Sequence, residues 1–78
     1  MPPGGLIRLH KYPYAEIFII QDGRAIFTIG DATLEVHAGQ IIIAPPDVPH
    51  KFANAGDSRL RQIDIHVSRR IITRWLED

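Results

Sequence analysis

From Leu6 to Val67 the apolar residues fall into short β-branched runs, each closed by Gly, Pro, Asn or Asp, and no stretch sustains a 3.6-residue period. That punctuation confines the chain to an all-β fold, because short apolar runs bounded by turn residues read as strands. Strands are expected at about residues 5–10, 16–21, 24–29, 33–37, 41–44, 50–54 and 60–67. Gln21-Asp22-Gly23-Arg24 reads as a tight hairpin turn, since an Asp-Gly pair readily takes the positive φ of a type I′ turn, and Gly30-Asp31 opens the next. Ala38-Gly39-Gln40 and Asn54-Ala55-Gly56-Asp57 supply further breaks. Turns at this frequency, with no space for crossover helices, suggest a sandwich or barrel.

A chain of 78 residues is expected to form one domain over 1–78. A domain of this size buries only roughly 60–65% of the surface that its unfolded chain exposes. The sequence contains no cysteine, so disulfides cannot supplement the core, which leaves metal binding or a second copy of the chain to do so. Nine basic and nine acidic residues cancel, which argues against nucleic acid or an anionic membrane as the main partner. Met1-Pro2-Pro3-Gly4-Gly5 has neither a basic nor an apolar leader character, and no apolar run approaches a membrane span, so the expected location is the cytoplasm.

The chemistry of the chain is concentrated in His10, Tyr12 and Glu16, with His50 34 residues beyond Glu16 behind Pro45-Pro46-Asp47-Val48-Pro49. His10, Tyr12 and Glu16 share even parity, so on extended chain their side chains leave one face, and Pro13 marks a bend between them. Two imidazoles and a carboxylate suit a divalent first-row metal and leave positions open for substrate or oxygen. Taken singly, each histidine is a locally bonded strand residue and Glu16 a surface carboxylate.

The spacing around these residues resembles the cupin superfamily. Gly4, five residues, His10, Tyr12, Glu16 and then Gly23 follow its first motif; Gly39, Pro45, Asp47, His50 and Asn54 follow its second. The two motifs span residues 4–54. The resemblance implies a small jelly-roll β-barrel with a mononuclear site for a divalent transition metal (Fe, Mn, Ni, Cu or Zn), and it makes His10, Glu16 and His50 the ligands. Tyr12 stands where the family usually has a second histidine. With a reference pKa of about 10, a phenol binds divalent metals poorly, so Tyr12 is expected beside the ligands as a hydrogen-bond donor, with a weak ligand or a side chain that closes the pocket as the alternatives. Asp47 stands where the family usually has glycine, a mild change because Asp tolerates the left-handed conformation.

On a barrel, Phe18, Ile20, Phe27, Ile29, Ile41, Ile43 and Phe52 are expected to line the interior. Tyr14, Phe18, Phe52, Gln62 and His66 are the candidate substrate-pocket residues. The row Gln62, Asp64, His66 alternates with Arg61, Ile63, Ile65 and Val67 and faces either water or the pocket. His37 falls on the solvent side of its strand, and Arg69, Arg70 and Arg74 read as a solvated face. Ile71, Ile72, Trp75 and Leu76 give the tail a helix-like spacing, and a short extended or helical cap is expected there, with an edge strand as the alternative. The functional expectation is a metal-dependent enzyme, dioxygenase-like or isomerase-like, acting on a small organic substrate. A non-catalytic ligand-binding cupin and a structural module are the alternatives. With little sequence before the first motif to cover the sheet edge, a homodimer is expected.

Overall fold

The computed structural model describes residues 1–77. It contains eight strands: β1 (Leu6–Lys11), β2 (Glu16–Asp22), β3 (Arg24–Ile29), β4 (Ala32–His37), β5 (Ile41–Ala44), β6 (His50–Asn54), β7 (Arg61–His66) and β8 (Arg74–Trp75). The seven strands expected from the sequence all form, with ends within one residue of expectation, because Gly, Pro and Asp terminate them sharply. They make two antiparallel sheets, β4-β3-β6-β1-β8 and β5-β2-β7, which together form an all-β jelly-roll. Among the described residues no helix is long and apolar enough to cross a membrane.

The core lies between the sheets. Phe18 from one sheet meets Phe27 and Phe52 from the other at ring separations of 4.9 and 5.6 Å, edge to face, while Phe27 and Phe52 stack at 4.8 Å. Such pairs add about 0.5–1.5 kcal/mol each beyond the area that they bury. Ile20, Ala25, Val36, Ile42 and Leu60 fill the space around them.

The topology corrects two expectations and decides two that the sequence left open. Asp22-Gly23 does turn the chain, with Gly23 at φ +90°, but β2 and β3 lie in different sheets, so the turn is a sheet-to-sheet crossing and not a hairpin. Ile41 and Ile43 face outward, 64% and 58% exposed, because the register Phe18 to Ile42 and Glu16 to Ala44 turns those alternate residues inward. Gln62, Asp64 and His66 share the inner face with Ile20, Phe18 and Glu16, so the apolar row Ile63, Ile65 faces out. Among the described residues the tail has no helix; Arg74 and Trp75 pair with Lys11 and His10 as an edge strand, covering that end of β1. Gly30-Asp31 joins β3 to β4 as a true hairpin, and His37 is exposed on the outer face.

Gly23 illustrates how tightly the crossing is built. A Cβ there would stand 2.9 Å from the Arg59 carbonyl oxygen, whereas Gly39, also at φ +90°, has nothing within 4 Å. Gly39→Ala is therefore expected to cost only the left-handed strain, about 1–2 kcal/mol. Gly23→Ala should cost clearly more, since the contact is with rigid backbone. Paired thermal melts check this; equal losses would mean that the crossing relaxes freely.

Candidate metal centre

Three strands deliver one side chain each to the same end of the jelly-roll. The β1–β6 register shifts between Ile7 and His10, which brings His10 opposite His50. Glu16 opens β2 in the facing sheet. His50 follows the proline-rich loop, where Asp47 takes φ +62° and its N–H donates to the Tyr12 carbonyl at 2.7 Å. The Asp at the family's glycine position thus adopts the left-handed geometry that this loop needs. Asn54, the last motif residue, has a structural role: its amide donates to the Met1 and Ser58 carbonyls and its oxygen accepts from Gly56 N–H.

His10, Glu16 and His50 are 1–2% exposed, and one potential ligand atom from each lies within 4.8 Å of the others. The two imidazoles are 4.3 Å apart, centroid to centroid. His10 Nδ1 donates to the Arg8 carbonyl at 2.7 Å and His50 Nδ1 to the Val48 carbonyl at 3.0 Å. A carbonyl only accepts, so Nδ1 carries the proton and each neutral ring presents the Nε2 lone pair. Burial pushes the His10 imidazole below its ordinary pKa and nearby His50 adds to this, against the pull of the Arg8 carbonyl. Its neutral form is thereby favoured.

His50 is the informative member. Its Nε2 stands 3.0 Å from Glu16 Oε1, deep in the fold. One imidazole therefore faces an oxygen at each nitrogen, and the Nε2 contact is met by one shared proton or by a cation between Nε2 and the carboxylate. Two anchored imidazoles and a carboxylate form a donor set that fits a divalent transition metal.

Tyr12 is buried against this centre, its ring 5.1 Å from His10 and 5.7 Å from His50. Burial pushes its phenol above the ordinary value, against a hydrogen bond with Thr73, so the hydroxyl keeps its proton. Tyr14 and His66 lie at the same end, hydrogen-bonded to each other. Phe18 is wholly buried beneath His50, with their rings 5.8 Å apart. Phe52 and Gln62 sit elsewhere, lining with Ile7, Leu60 and Asp64 a cleft of about 450 Å³ that the three candidate ligands do not reach. The five candidate pocket residues are thus divided between two places.

The tail crosses this centre, a placement that neither motif encodes. Ile72 N–H donates to Tyr14 Oη, Leu76 N–H to the Leu9 carbonyl, and Leu9 N–H to Glu77. Trp75 rests 5.1 Å from the His10 ring with the Arg8 guanidinium 4.7 Å over its indole. The apolar spacing of Ile71, Ile72, Trp75 and Leu76 was the available signal.

Fold and site together define a two-sheet antiparallel barrel with a buried two-histidine, one-carboxylate cluster. A sequence model of the Cupin domain matches residues 1–66, and the chain belongs to the cupin family. It is 39% identical over 62 residues to an uncharacterized protein of Methanocaldococcus jannaschii, covering 78% of this chain and 50% of that one. It is 33% identical over 66 residues to the H2HPP isomerase of Bacillus subtilis, covering 83% and 28%. Among solved structures, a predicted oxalate decarboxylase from Thermotoga maritima superimposes with a TM-score of 0.81 at 25% identity, over 85% of this chain and 58% of that one. The chain spans half or less of the length of these two curated relatives.

Proposed function

We propose that this cupin is a metal-dependent enzyme acting on a small organic molecule, with one divalent transition metal (Fe, Mn, Ni, Cu or Zn) held by His10, Glu16 and His50. The observation that carries the reading is His50, whose Nδ1 is committed to Val48 while its Nε2 faces the buried Glu16 carboxylate at 3.0 Å. When bound, such an ion polarises a substrate oxygen as a Lewis acid. The chain's own part is to aim the two Nε2 atoms through the Arg8 and Val48 carbonyls and to seal the inner side with Phe18. Tyr12 serves as a protonated wall and not as a ligand. The isomerase name of the Bacillus subtilis relative favours an isomerase-like over a dioxygenase-like reaction.

A second reading, a ligand-binding cupin without catalysis, is favoured by the enclosure of the centre under the tail. Elemental analysis of protein purified without added metal or a histidine tag separates the two. About one equivalent of Fe, Mn, Ni, Cu or Zn per folded chain is expected, and a folded protein with far less would favour the second reading.

The chain is also proposed to work as a homodimer. Two rungs of isoleucine, Ile41-Ile19-Ile63 and Ile43-Ile17-Ile65, cross the outer face of the β5-β2-β7 sheet. Their flanking members are 41–64% exposed.

A further inference from the structure

We infer that Tyr14 and His66 form an outer arm of the centre, which grips the second oxygen of Glu16 and fixes the carboxylate as a one-oxygen ligand. The inference rests on the metal-site reading above and assigns His66, a residue outside both sequence motifs, a positioning role.

The β2–β7 register sets Glu16 directly opposite His66. The two carboxylate oxygens are then divided: Oε1 faces His50 Nε2 at 3.0 Å and Oε2 faces His66 Nε2 at 3.3 Å. Tyr14 determines which hydrogen His66 offers. Its Oη accepts from Ile72 N–H at 3.1 Å, which leaves the phenolic proton free to be donated to His66 Nδ1 at 2.9 Å. A neutral His66 with Nδ1 as acceptor carries its proton on Nε2, turned toward Glu16. This is the opposite tautomer from His10 and His50, whose carbonyl partners put the proton on Nδ1 and free Nε2 for a metal. His66 is accordingly a donor to the carboxylate and not a third imidazole ligand. It also lies outside the 4.8 Å cluster. The Tyr12 ring meets the His66 ring edge to face at 4.7 Å and restrains it.

A ligating carboxylate held through its other oxygen loses less freedom on metal binding, and such outer partners are worth about 10- to 100-fold in metal affinity. The test is a competition titration of Zn²⁺ against a chromophoric chelator, on the intact chain and on His66→Leu, His66→Gln and Tyr14→Phe. His66→Leu should weaken binding by about 10- to 100-fold. His66→Gln should recover most of that loss, because its amide N–H reaches the same oxygen, and Tyr14→Phe should fall between. Loaded with Cu²⁺, the unaltered protein and His66→Leu should both show two imidazole nitrogens by pulsed EPR. If His66→Leu fails to fold, Gln and Phe variants carry the comparison by the same ordering. Affinity within threefold of the unaltered protein for His66→Leu, or a Gln variant as weak as Leu, would overturn the arm. Loss of one imidazole from the count would make His66 a ligand and overturn the positioning role. An unaltered chain that binds no Zn²⁺ would overturn the metal reading itself and the arm with it.

Discussion

Stripping the metal from the loaded protein is expected to lower its melting temperature by about 10–20 °C. An ion that binds only the folded chain, present at a hundred times its dissociation constant, contributes about 2.7 kcal/mol. In a domain of 60–100 residues each kcal/mol moves the midpoint by about 4–8 °C. The shift is large because the core is small and no disulfide supplements it. His50→Ala should abolish the shift: it removes one of the three proposed ligands outright, so its affinity loss should exceed the roughly 100-fold upper value for an outer partner. The stripped His50→Ala protein and its metal-treated form should melt together. Calorimetry with and without chelator gives the measurement. Coincident melts for the unaltered protein would show that the cluster does not bind the ion in the folded state.

The position of this cluster was legible because its spacing is carried by turns. Gly39, Pro45, Asp47 and Pro49 determine where His50 enters its strand, and Asp47 adopts the left-handed φ that its side chain allowed. Which face of a strand points inward was not legible in the same way. Ile41-Ile42-Ile43 is a continuous apolar run without alternation, so only pairing with β2 decides that Ile42 is buried. β7 does alternate, but period two separates two rows without saying which one meets the core. Here Glu16 sits across from His66 and draws the polar row inward, leaving Ile63 and Ile65 outside. The Asp22-Gly23 turn was visible for the same local reason as the others. That it changes sheets depends on β3 pairing with β6, a contact between residues distant in sequence.

Those outward isoleucines lead to the other large effect: Ile43→Asp should convert a dimer into a monomer. Ile41, Ile43, Ile63 and Ile65 at 41–64% exposure, with Ile17 and Ile19 half-buried between them, leave on the order of 500 Å² of contiguous apolar surface, at the upper range for a monomer. Two such faces supply about 1,000 Å², the threshold of a biological interface. A second copy is the occupant that the face fits, because its two rungs carry no charge and run Ile-Ile-Ile in both directions, so a two-fold axis through the β2 row sets isoleucine against isoleucine. Light scattering at micromolar concentration should give twice the 8.8 kDa of one chain. An aspartate at position 43 occurs twice in the symmetric interface, and each buried, unpaired carboxylate costs several kcal/mol. The dissociation constant should therefore rise by more than about a thousandfold. The fold should be unaffected, because the side chain at 43 is already 58% exposed in the single chain. Leu6→Asp is the control, since Leu6 is 62% exposed on the other sheet and should leave the dimer intact. A dimer that survives Ile43→Asp but is broken by Leu6→Asp would move the interface to that other sheet, and an unaltered chain that is monomeric at every concentration would remove the dimer altogether.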